Sequence, residues 1–198
     1  VCAAGLSAEA QVLDVVDLTA VNAFFAGQAG FDILVNSAGV ARHTPALETK
    51  AEDFDTVMAV NVRAAYFLAQ QAALGMQQAG RGGAIVQISS QMAHVGGIER
   101  AVYCGSKHAI EGINKAMAIE FGGDGIRVNS ICPTFIRTPL SELTFSDPEK
   151  LQWIKSKIKL DRIGQVEDIM GAVQYLASDA SAMVTGTSLL IDGGWTAG

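Results

Sequence analysis

Short apolar runs alternate along the chain with longer segments whose apolar residues recur every three or four positions. The runs at 33–35, 83–88 and 126–131 are rich in β-branched residues and are bounded by glycine or polar residues, a pattern typical of buried strands. The segment 101–121 instead has the periodicity of a helix. We therefore predict an α/β chain whose parallel strands are covered on both faces by helices.

The same patterns predict the remaining elements. Further strands are expected to end at Ala4 and to occupy 12–16 and 188–191, and further helices are expected at 19–29, 49–77, 140–160 and 166–177. Thr49-Lys50-Ala51-Glu52 has the form of a capping box, which predicts the start of the 49–77 helix.

Composition indicates one globular domain spanning residues 1–198. The chain of 198 residues is 49% hydrophobic and 17% charged, with only 4 prolines, so it can bury a substantial core. Its net charge of −6 argues against nucleic acid or a membrane as a partner. Its three cysteines have no metal-binding spacing, and no apolar run approaches the ~20 residues that span a bilayer, so we expect a cytoplasmic protein.

The first candidate for chemistry is the pair Tyr103 and Lys107. Residues four apart share one face of a helix, so the Lys107 ammonium should lie near the Tyr103 phenol and favour the phenolate. A tyrosine with a lowered pKa can act as a general acid and base near neutral pH. The alternative is that this common spacing arises by chance.

Polar residues follow or interrupt other apolar elements. Ser90 ends the strand that begins at Gly83, and Asn36-Ser37-Ala38-Gly39 follows the strand at 33–35. The carboxyl ends of parallel strands share one edge of the sheet, where ligands bind in open α/β folds. Asn61 interrupts a predicted helix, so it is either a surface residue or a polar group kept for function.

We expect no metal, since no two histidines have a zinc spacing, and we expect His43, His94 and His108 to be solvated by default.

Taken together, these residues resemble the classical short-chain dehydrogenase/reductase family. The resemblance spans almost the whole chain and rests on Asn36-Ser37-Ala38-Gly39, Asn61, Ser90, Tyr103 with Lys107, Asn129, Thr185-Gly186 and Asp192-Gly193-Gly194. It implies a Rossmann-like, doubly wound parallel sheet in a single domain. It also implies hydride transfer between a nicotinamide cofactor and a secondary alcohol or ketone.

The resemblance also implies a role for each catalytic residue. Ser90 would hydrogen-bond the substrate oxygen, and Tyr103 would give or take its proton. Lys107 would lower the pKa of Tyr103 and bind the ribose of the cofactor, while the main chain of Asn61 would hold a water that relays protons.

Cofactor contacts are expected at Asp14, Val15, Asn36, Ala38, Gly39, Tyr103, Lys107, Pro133, Ile136 and Thr138. In the turn after Pro133, Thr134 stands where the family usually has glycine. The family's glycine-rich phosphate loop is absent and the chain opens at Val1, so we interpret it as part of a longer protein whose first βα unit is missing. No Lys or Arg precedes Arg42, which favours NAD over NADP.

We expect the substrate to contact Ser90, Gln91, Met92, His94, Leu143 and Trp153, the last two in a mobile lid at 140–160. A polyol, a sugar, an acyl thioester such as a 3-oxoacyl group, or a hydrophobic ketone would each fit such a mixed pocket.

The wide apolar stripe of the 49–77 helix fits the homo-tetramer or homo-dimer that the resemblance implies, although burial within one monomer explains it nearly as well. The alternative function is a non-catalytic cofactor-sensing or scaffold protein on the same fold.

Overall fold

Within the described residues, a parallel sheet of four strands forms the centre of the fold. The computed structural model describes Gly5, residues 7–139 and residues 141–198, except the side chain of Leu143. The strands are β1 (Ile33–Asn36), β2 (Gly83–Ile88), β3 (Ile126–Pro133) and β4 (Ser188–Ile191). They pair in the order β1-β2-β3-β4, and every pair is parallel. The predicted strand that would end at Ala4 lies outside the described residues.

Helices connect the strands. They are α1 (Leu18–Ala26), α2 (Ala51–Met58), α3 (Ala65–Ala79), α4 (Ala101–Phe121), α5 (Glu142–Phe145), α6 (Pro148–Lys157) and α7 (Glu167–Ala177). The predicted helix over 101–121 and the predicted strand over 188–191 have the same bounds in the structure. Within the described ranges, no helix is both long and apolar enough to cross a membrane.

The sheet is covered on both faces, as in a doubly wound fold. On one face, Ile85 of β2 and Val128 of β3 pack with Met76 of α3 and Met117 of α4. The other face carries a separate cluster of Val86, Ile131 and Leu176, with partly buried residues of α7 against it. Adjacent residues on a strand point to opposite faces, so Ile85 and Val86 enter different cores. The predicted α/β class is thereby confirmed.

The strand predicted at 12–16 does not form. Val12 is fully exposed, and the segment ends in a turn in which the amide of Asp17 donates to the carbonyl of Asp14 over 3.2 Å. A strand needs a neighbour for its backbone hydrogen bonds. In the part of the chain that the structure describes, β1 pairs only with β2, and no strand lies beside this segment.

The long helix predicted over 49–77 is interrupted in its middle. Residues Ala59–Ala64 form a π-helical turn between α2 and α3, and this turn contains Asn61. The predicted capping box is also wrong, because Lys50 is the N-cap residue without a side-chain cap, and the hydroxyl of Thr49 lies 3.1 Å from that of Thr44. A π turn inserts one extra residue into a helix and often marks a functional site.

The segment predicted as a lid is helical. Asp147 caps α6 by accepting hydrogen bonds from the amides of Glu149 and Lys150, and Pro148 occupies the first turn. Phe145 of α5 and Ile154 of α6 form a small core with Ile158 and Ile163, which follow α6, and Trp195 packs against it. Leu140 lies outside the described residues.

Candidate active site

Ser90 and Tyr103 meet at the carboxyl edge of the sheet. Ser90 lies two residues beyond β2 and Tyr103 is in the first turn of α4, and the Ser90 hydroxyl is near enough to the phenol of Tyr103 to lower its pKa. Both residues line a cavity of about 130 Å³. Its wall consists of Ala41, His43, Ser90, Gln91, Met92, Arg100, Tyr103, Thr134 and Phe135. The fold therefore brings together Tyr103, the predicted acid/base, and Ser90, the predicted ligand of the substrate oxygen.

Lys107 lies one helical turn beyond Tyr103. Its side chain is buried, its Nζ donates to the carbonyl of Ile88 over 3.0 Å, and the same atom lies 5.7 Å from the centre of the Tyr103 ring. Burial lowers the pKa of Lys107 from 10.5 to about 8, although the nearby Cys132 and Glu111 act in the opposite direction. Keeping the charged ammonium at this buried position therefore costs solvation free energy.

Tyr103 does not have the lowered pKa that we expected from Lys107. Burial raises the pKa of the phenol, while the hydrogen bond from Ser90 and the charge of Arg100 lower it. The expectation was wrong in its sign, because removing the phenol from water disfavours the phenolate more than the neighbouring donors and charges favour it. In this structure, Tyr103 is a neutral proton donor at physiological pH.

Asn61 links the loop after β1 to the start of α4. Its Oδ1 accepts from the amide of Val40 over 2.8 Å, and its Nδ2 donates to the Val40 carbonyl over 2.9 Å and to Ser106 Oγ over 3.1 Å. Ser106 Oγ in turn donates to the carbonyl of Tyr103 over 2.7 Å. The side chain therefore fixes the position of two parts of the site, and the proton relay through its main chain stays a prediction.

Asn36 connects β1 to β2 and shapes the loop that follows β1. Its Nδ2 donates to Gln87 Oε1 over 2.7 Å, and its Oδ1 accepts from the amide of Ala38 over 3.1 Å. A Cβ added at Gly39 would lie 3.7 Å from Lys107 Nζ and 3.5 Å from Asn61 Oδ1. The loop thus runs close to the ammonium, and glycine keeps the surface beside Lys107 open.

The turn after β3 forms another wall of the site. Thr134 is not among the residues with a positive φ, so its replacement of the expected glycine brings no backbone strain. Its Oγ1 is buried without a hydrogen-bond partner in the described part of the chain, and Thr134 lines both the Tyr103 cavity and a second cavity of about 130 Å³ bounded by Ile136. Further along, the amide of Thr138 donates to Ser141 Oγ over 2.9 Å.

A nicotinamide cofactor fits these features. An unpaired buried hydroxyl, an open glycine loop and a buried ammonium lie around the carboxyl ends of β1, β2 and β3. The loop of Asn36, Ala38 and Gly39, Lys107, and the turn from Pro133 through Ile136 to Thr138 would hold the cofactor. Asp14 and Val15 lie in the turn that replaces the predicted strand, where Asp14 Oδ1 accepts from the amide of Val16 over 3.0 Å.

Sequence reasoning missed the two basic side chains of the cavity wall. His43 was expected to be solvated, yet it lines the cavity beside Tyr103, and its ring centre is 6.1 Å from that of Tyr103. Arg100 Nη1 lies 2.8 Å from His43 Nε2. Burial, and then the charge of Arg100, lower the pKa of His43 to about 4. Arg100 could have been found as the residue three positions before Tyr103, because that spacing places both on one side of a helix start.

The expected substrate contacts are only partly brought together. Gln91 and Met92 are buried in the cavity wall with Ser90. His94 is exposed and is not part of that wall, and Trp153 instead packs its ring against Trp195 with 5.4 Å between ring centres. The side chain of Leu143 lies outside the described residues.

His94, Glu111 and Cys132 have possible metal-binding atoms within 4.8 Å of one another. The carboxylate of Glu111 already accepts hydrogen bonds from Ser130 and Ser188. Burial, and then the negative charge of Glu111, raise the pKa of Cys132 to about 12, so the thiolate that a metal requires is disfavoured. The expectation of no metal stays a prediction.

Comparison with known proteins shows the family of this chain. A family model described as enoyl-(acyl carrier protein) reductase matches residues 2–196. L-xylulose reductase from Bos taurus is 37% identical over 189 residues, which cover 96% of this chain and 78% of the relative.

Solved structures give the same result. The structure of a gluconate 5-dehydrogenase from Burkholderia cenocepacia in complex with NADP and tartrate superposes with a TM-score of 0.95 and 31% identity, covering 100% of this chain and 78% of that one. A 4-hydroxyisoleucine dehydrogenase mutant complexed with NADH and succinate superposes with a TM-score of 0.90 and 39% identity, covering 94% of this chain and 78% of that one.

The chain belongs to the short-chain dehydrogenase/reductase family. It is an NAD(P)-dependent oxidoreductase that acts on CH–OH groups and interconverts secondary alcohols and ketones.

Proposed function

We propose that this protein oxidises a secondary hydroxyl of a polyol or sugar-like substrate, and reduces the corresponding ketone, in the cavity between Ser90 and Tyr103. The observation that carries the proposal is that Ser90 and Tyr103 line one cavity, with the Lys107 ammonium 5.7 Å from the ring of Tyr103. L-xylulose reductase among the relatives supports a carbohydrate-type substrate.

Each side chain has a separate task in this chemistry. The nicotinamide ring supplies the hydride acceptor in the oxidation and the hydride donor in the reduction. Ser90 Oγ holds the reacting oxygen. Tyr103 Oη removes the hydroxyl proton in the oxidation and returns a proton to the carbonyl oxygen in the reduction. Lys107, together with Arg100, supplies positive charge near the phenolate that forms in this buried site.

Gln91 supports a substrate with several hydroxyl groups. Its side chain is 1% exposed and lines the cavity, and neither its Nε2 nor its Oε1 has a hydrogen-bond partner among the described residues. An amide offers one acceptor and two donors, which suits hydroxyl groups that both donate and accept. A buried polar group left unpaired costs about 1–3 kcal/mol, and a hydroxyl of the substrate would recover that cost.

We propose NAD as the preferred cofactor, because residues 1–41 contain no Lys or Arg that could meet a 2′-phosphate. Fluorescence titration of the full-length protein with NADH and NADPH tests this preference. Turnover of wild type and Tyr103→Phe with a panel of polyols then tests the chemistry. We expect Tyr103→Phe still to show saturable cofactor binding but to lose at least about 1,000-fold in kcat, since the phenol is the proton-transfer group.

The rival is a non-catalytic protein on the same scaffold, which would bind a partner without turnover. Saturable cofactor binding with turnover that depends on Tyr103 excludes the rival. Absence of binding to either cofactor, in protein that includes the natural N-terminus, would refute the proposed function.

We also propose that the protein assembles as a homo-dimer or homo-tetramer through the outer faces of α3 and α4. Tyr66 and Leu74 of α3 are 38% and 43% exposed, and Ile119 of α4 is 83% exposed. Large apolar side chains exposed together on adjacent helices favour an interface.

We further propose that the 140–160 segment closes over the substrate as a lid, because its small core contacts Phe135, which lines the cavity.

A further inference from the structure

We propose that Arg100 and His43 form a carboxylate-binding subsite beside Ser90 and Tyr103, so that among sugar-like substrates the protein prefers a hydroxy-acid anion to a neutral polyol. The proposal rests on the proposed function and deepens it, because it assigns a charge to the substrate. All four side chains line the same cavity of about 130 Å³.

Among the described residues, the guanidinium of Arg100 forms no ion pair, although the charge of Glu99 acts on it from more than 4.0 Å away. No carboxylate oxygen among the described residues lies within 4.0 Å of it, whereas Arg42, Arg81, Arg137 and Arg162 each form such an ion pair. Arg100 is partly buried, and its Cζ lies 5.4 Å from the centre of the Phe135 ring. A desolvated cation in a cavity favours an anionic ligand more strongly than a solvated one does.

The hydrogen bond between Arg100 and His43 defines the protonation state of the His43 ring. Arginine has no acceptor atom, so Arg100 Nη1 donates and His43 Nε2 accepts over the 2.8 Å between them. His43 is therefore neutral and carries its proton on Nδ1. This bond uses one of the five guanidinium N–H groups, and the structure gives no other hydrogen-bond partner for the guanidinium within the described ranges. A carboxylate can accept from two such groups at once.

The backbone around Arg100 is arranged to hold this side chain in place. Glu99 has a φ of 59°, a conformation uncommon for residues other than glycine, and its carbonyl accepts from the amide of Thr44 over 3.1 Å. That bond ties the loop before Arg100 to the loop that carries His43. A Cβ at Gly97 would lie 2.8 Å from Arg100 Cδ, so glycine there makes room for the arginine side chain.

The neighbouring residues indicate what kind of anion would bind. Gln91 has free donors and an acceptor for hydroxyl groups, and Ser90 with Tyr103 takes the hydroxyl that reacts. A molecule that carries a carboxylate near several hydroxyls satisfies all of these groups together. The geometry therefore points to a polyhydroxy acid.

Binding measured without turnover tests the inference separately from the proposed function. The full-length protein is saturated with reduced cofactor, so that alcohols bind but are not oxidised, and is titrated calorimetrically with two matched pairs: gluconate against sorbitol, and threonate against threitol. The variants are Arg100→Gln, Arg100→Lys and, as a control, Arg42→Gln. Arg42 lies one residue from His43 but pairs with Asp53 at 3.6 Å and is not in the cavity wall.

We expect the acid of at least one pair to bind at least tenfold more tightly than its neutral partner. Arg100→Gln should weaken binding of that acid about 10- to 100-fold, the range for a charge-assisted hydrogen bond, and should affect the neutral partner less. Arg100→Lys should retain part of the preference, and Arg42→Gln should retain all of it.

The subsite would be overturned if acid and alcohol bound equally in both pairs, or if Arg100→Gln weakened binding of both by the same factor. Failure of both acids to bind would overturn it as well. Preference for the acid without any cofactor-dependent turnover would leave the subsite standing and count against the proposed function alone.

Discussion

Replacing Lys107 by methionine should make the protein more stable while abolishing its catalytic activity. Lys107 is 5% exposed, and burial lowers its pKa from 10.5 to about 8. At about 1.4 kcal/mol per pKa unit, that difference corresponds to about 3 kcal/mol of unfavourable free energy for the ammonium in the folded protein. Methionine has a similar length and no charge, but it loses the hydrogen bond to the carbonyl of Ile88 at 3.0 Å, which costs about 1 kcal/mol. We expect a net gain of about 2 kcal/mol at pH 7.

The gain should disappear as the pH rises. Below about 8 the lysine is protonated in both the folded and the unfolded protein, so the full cost is present. Between about 8 and 10.5 the folded protein loses this proton while the unfolded chain keeps it, so wild type gains stability with rising pH. The methionine variant lacks this dependence, and the difference between the two proteins should shrink by about 2–3 kcal/mol over that range.

Urea unfolding at pH 7 and pH 10, at one fixed protein concentration, measures this difference. Lys115→Met is the matched control, since Lys115 is an exposed residue of the same helix and its replacement should change stability by less than about 0.5 kcal/mol. A loss of stability at pH 7 for Lys107→Met, or a difference from wild type that does not vary with pH, would refute the reasoning from burial.

Three further predictions concern other parts of the molecule. Gly97→Ala should push the Arg100 side chain aside and weaken gluconate binding several-fold in calorimetry, whereas Gly96→Ala, whose added Cβ would have no atom within 4 Å, should not. Asn129→Ala should lower the free energy of unfolding in urea by about 2–4 kcal/mol, because Asn129 is 1% exposed and its amide bonds both the Val184 carbonyl and the Thr187 amide. Ile119→Glu should reduce the molar mass seen by light scattering, and an unchanged mass would argue against an interface on α4.

The sequence was sufficient to predict the elements whose periodicity is produced by burial. Strand β2 and helix α4 pack against the core along their length, so their apolar positions report directly on the fold. The same local signal wrongly predicted a strand at 12–16. The valine-rich composition of this segment favours a strand, but a strand also needs a neighbouring strand to pair with, and that depends on the whole sheet. Local preference cannot show whether a neighbour exists.

The site was predictable only where it has a fixed spacing along the chain. Tyr103 and Lys107 are one helical turn apart, whereas His43 and Arg100 are separated by 57 positions and meet through the packing of two loops. The role of Asn61 in the π turn is similarly hidden, since its side chain makes two hydrogen bonds to Val40, which is 21 positions away in the sequence. Contacts of this kind are tertiary, and no local pattern encodes them.

The two cations near Tyr103 act on the phenol in different ways. Arg100 lowers the pKa of Tyr103 through its charge, while the pKa of Lys107 is itself lowered by burial, so Lys107 is the cation closer to losing its proton. A carboxylate bound by Arg100 would offset the charge of the guanidinium and thereby weaken the effect that lowers the pKa of Tyr103. Binding of an acid substrate would then raise the basicity of the phenolate at the point where it must remove the hydroxyl proton. Under the proposed subsite, the residue that selects the substrate therefore also adjusts the group that reacts with it.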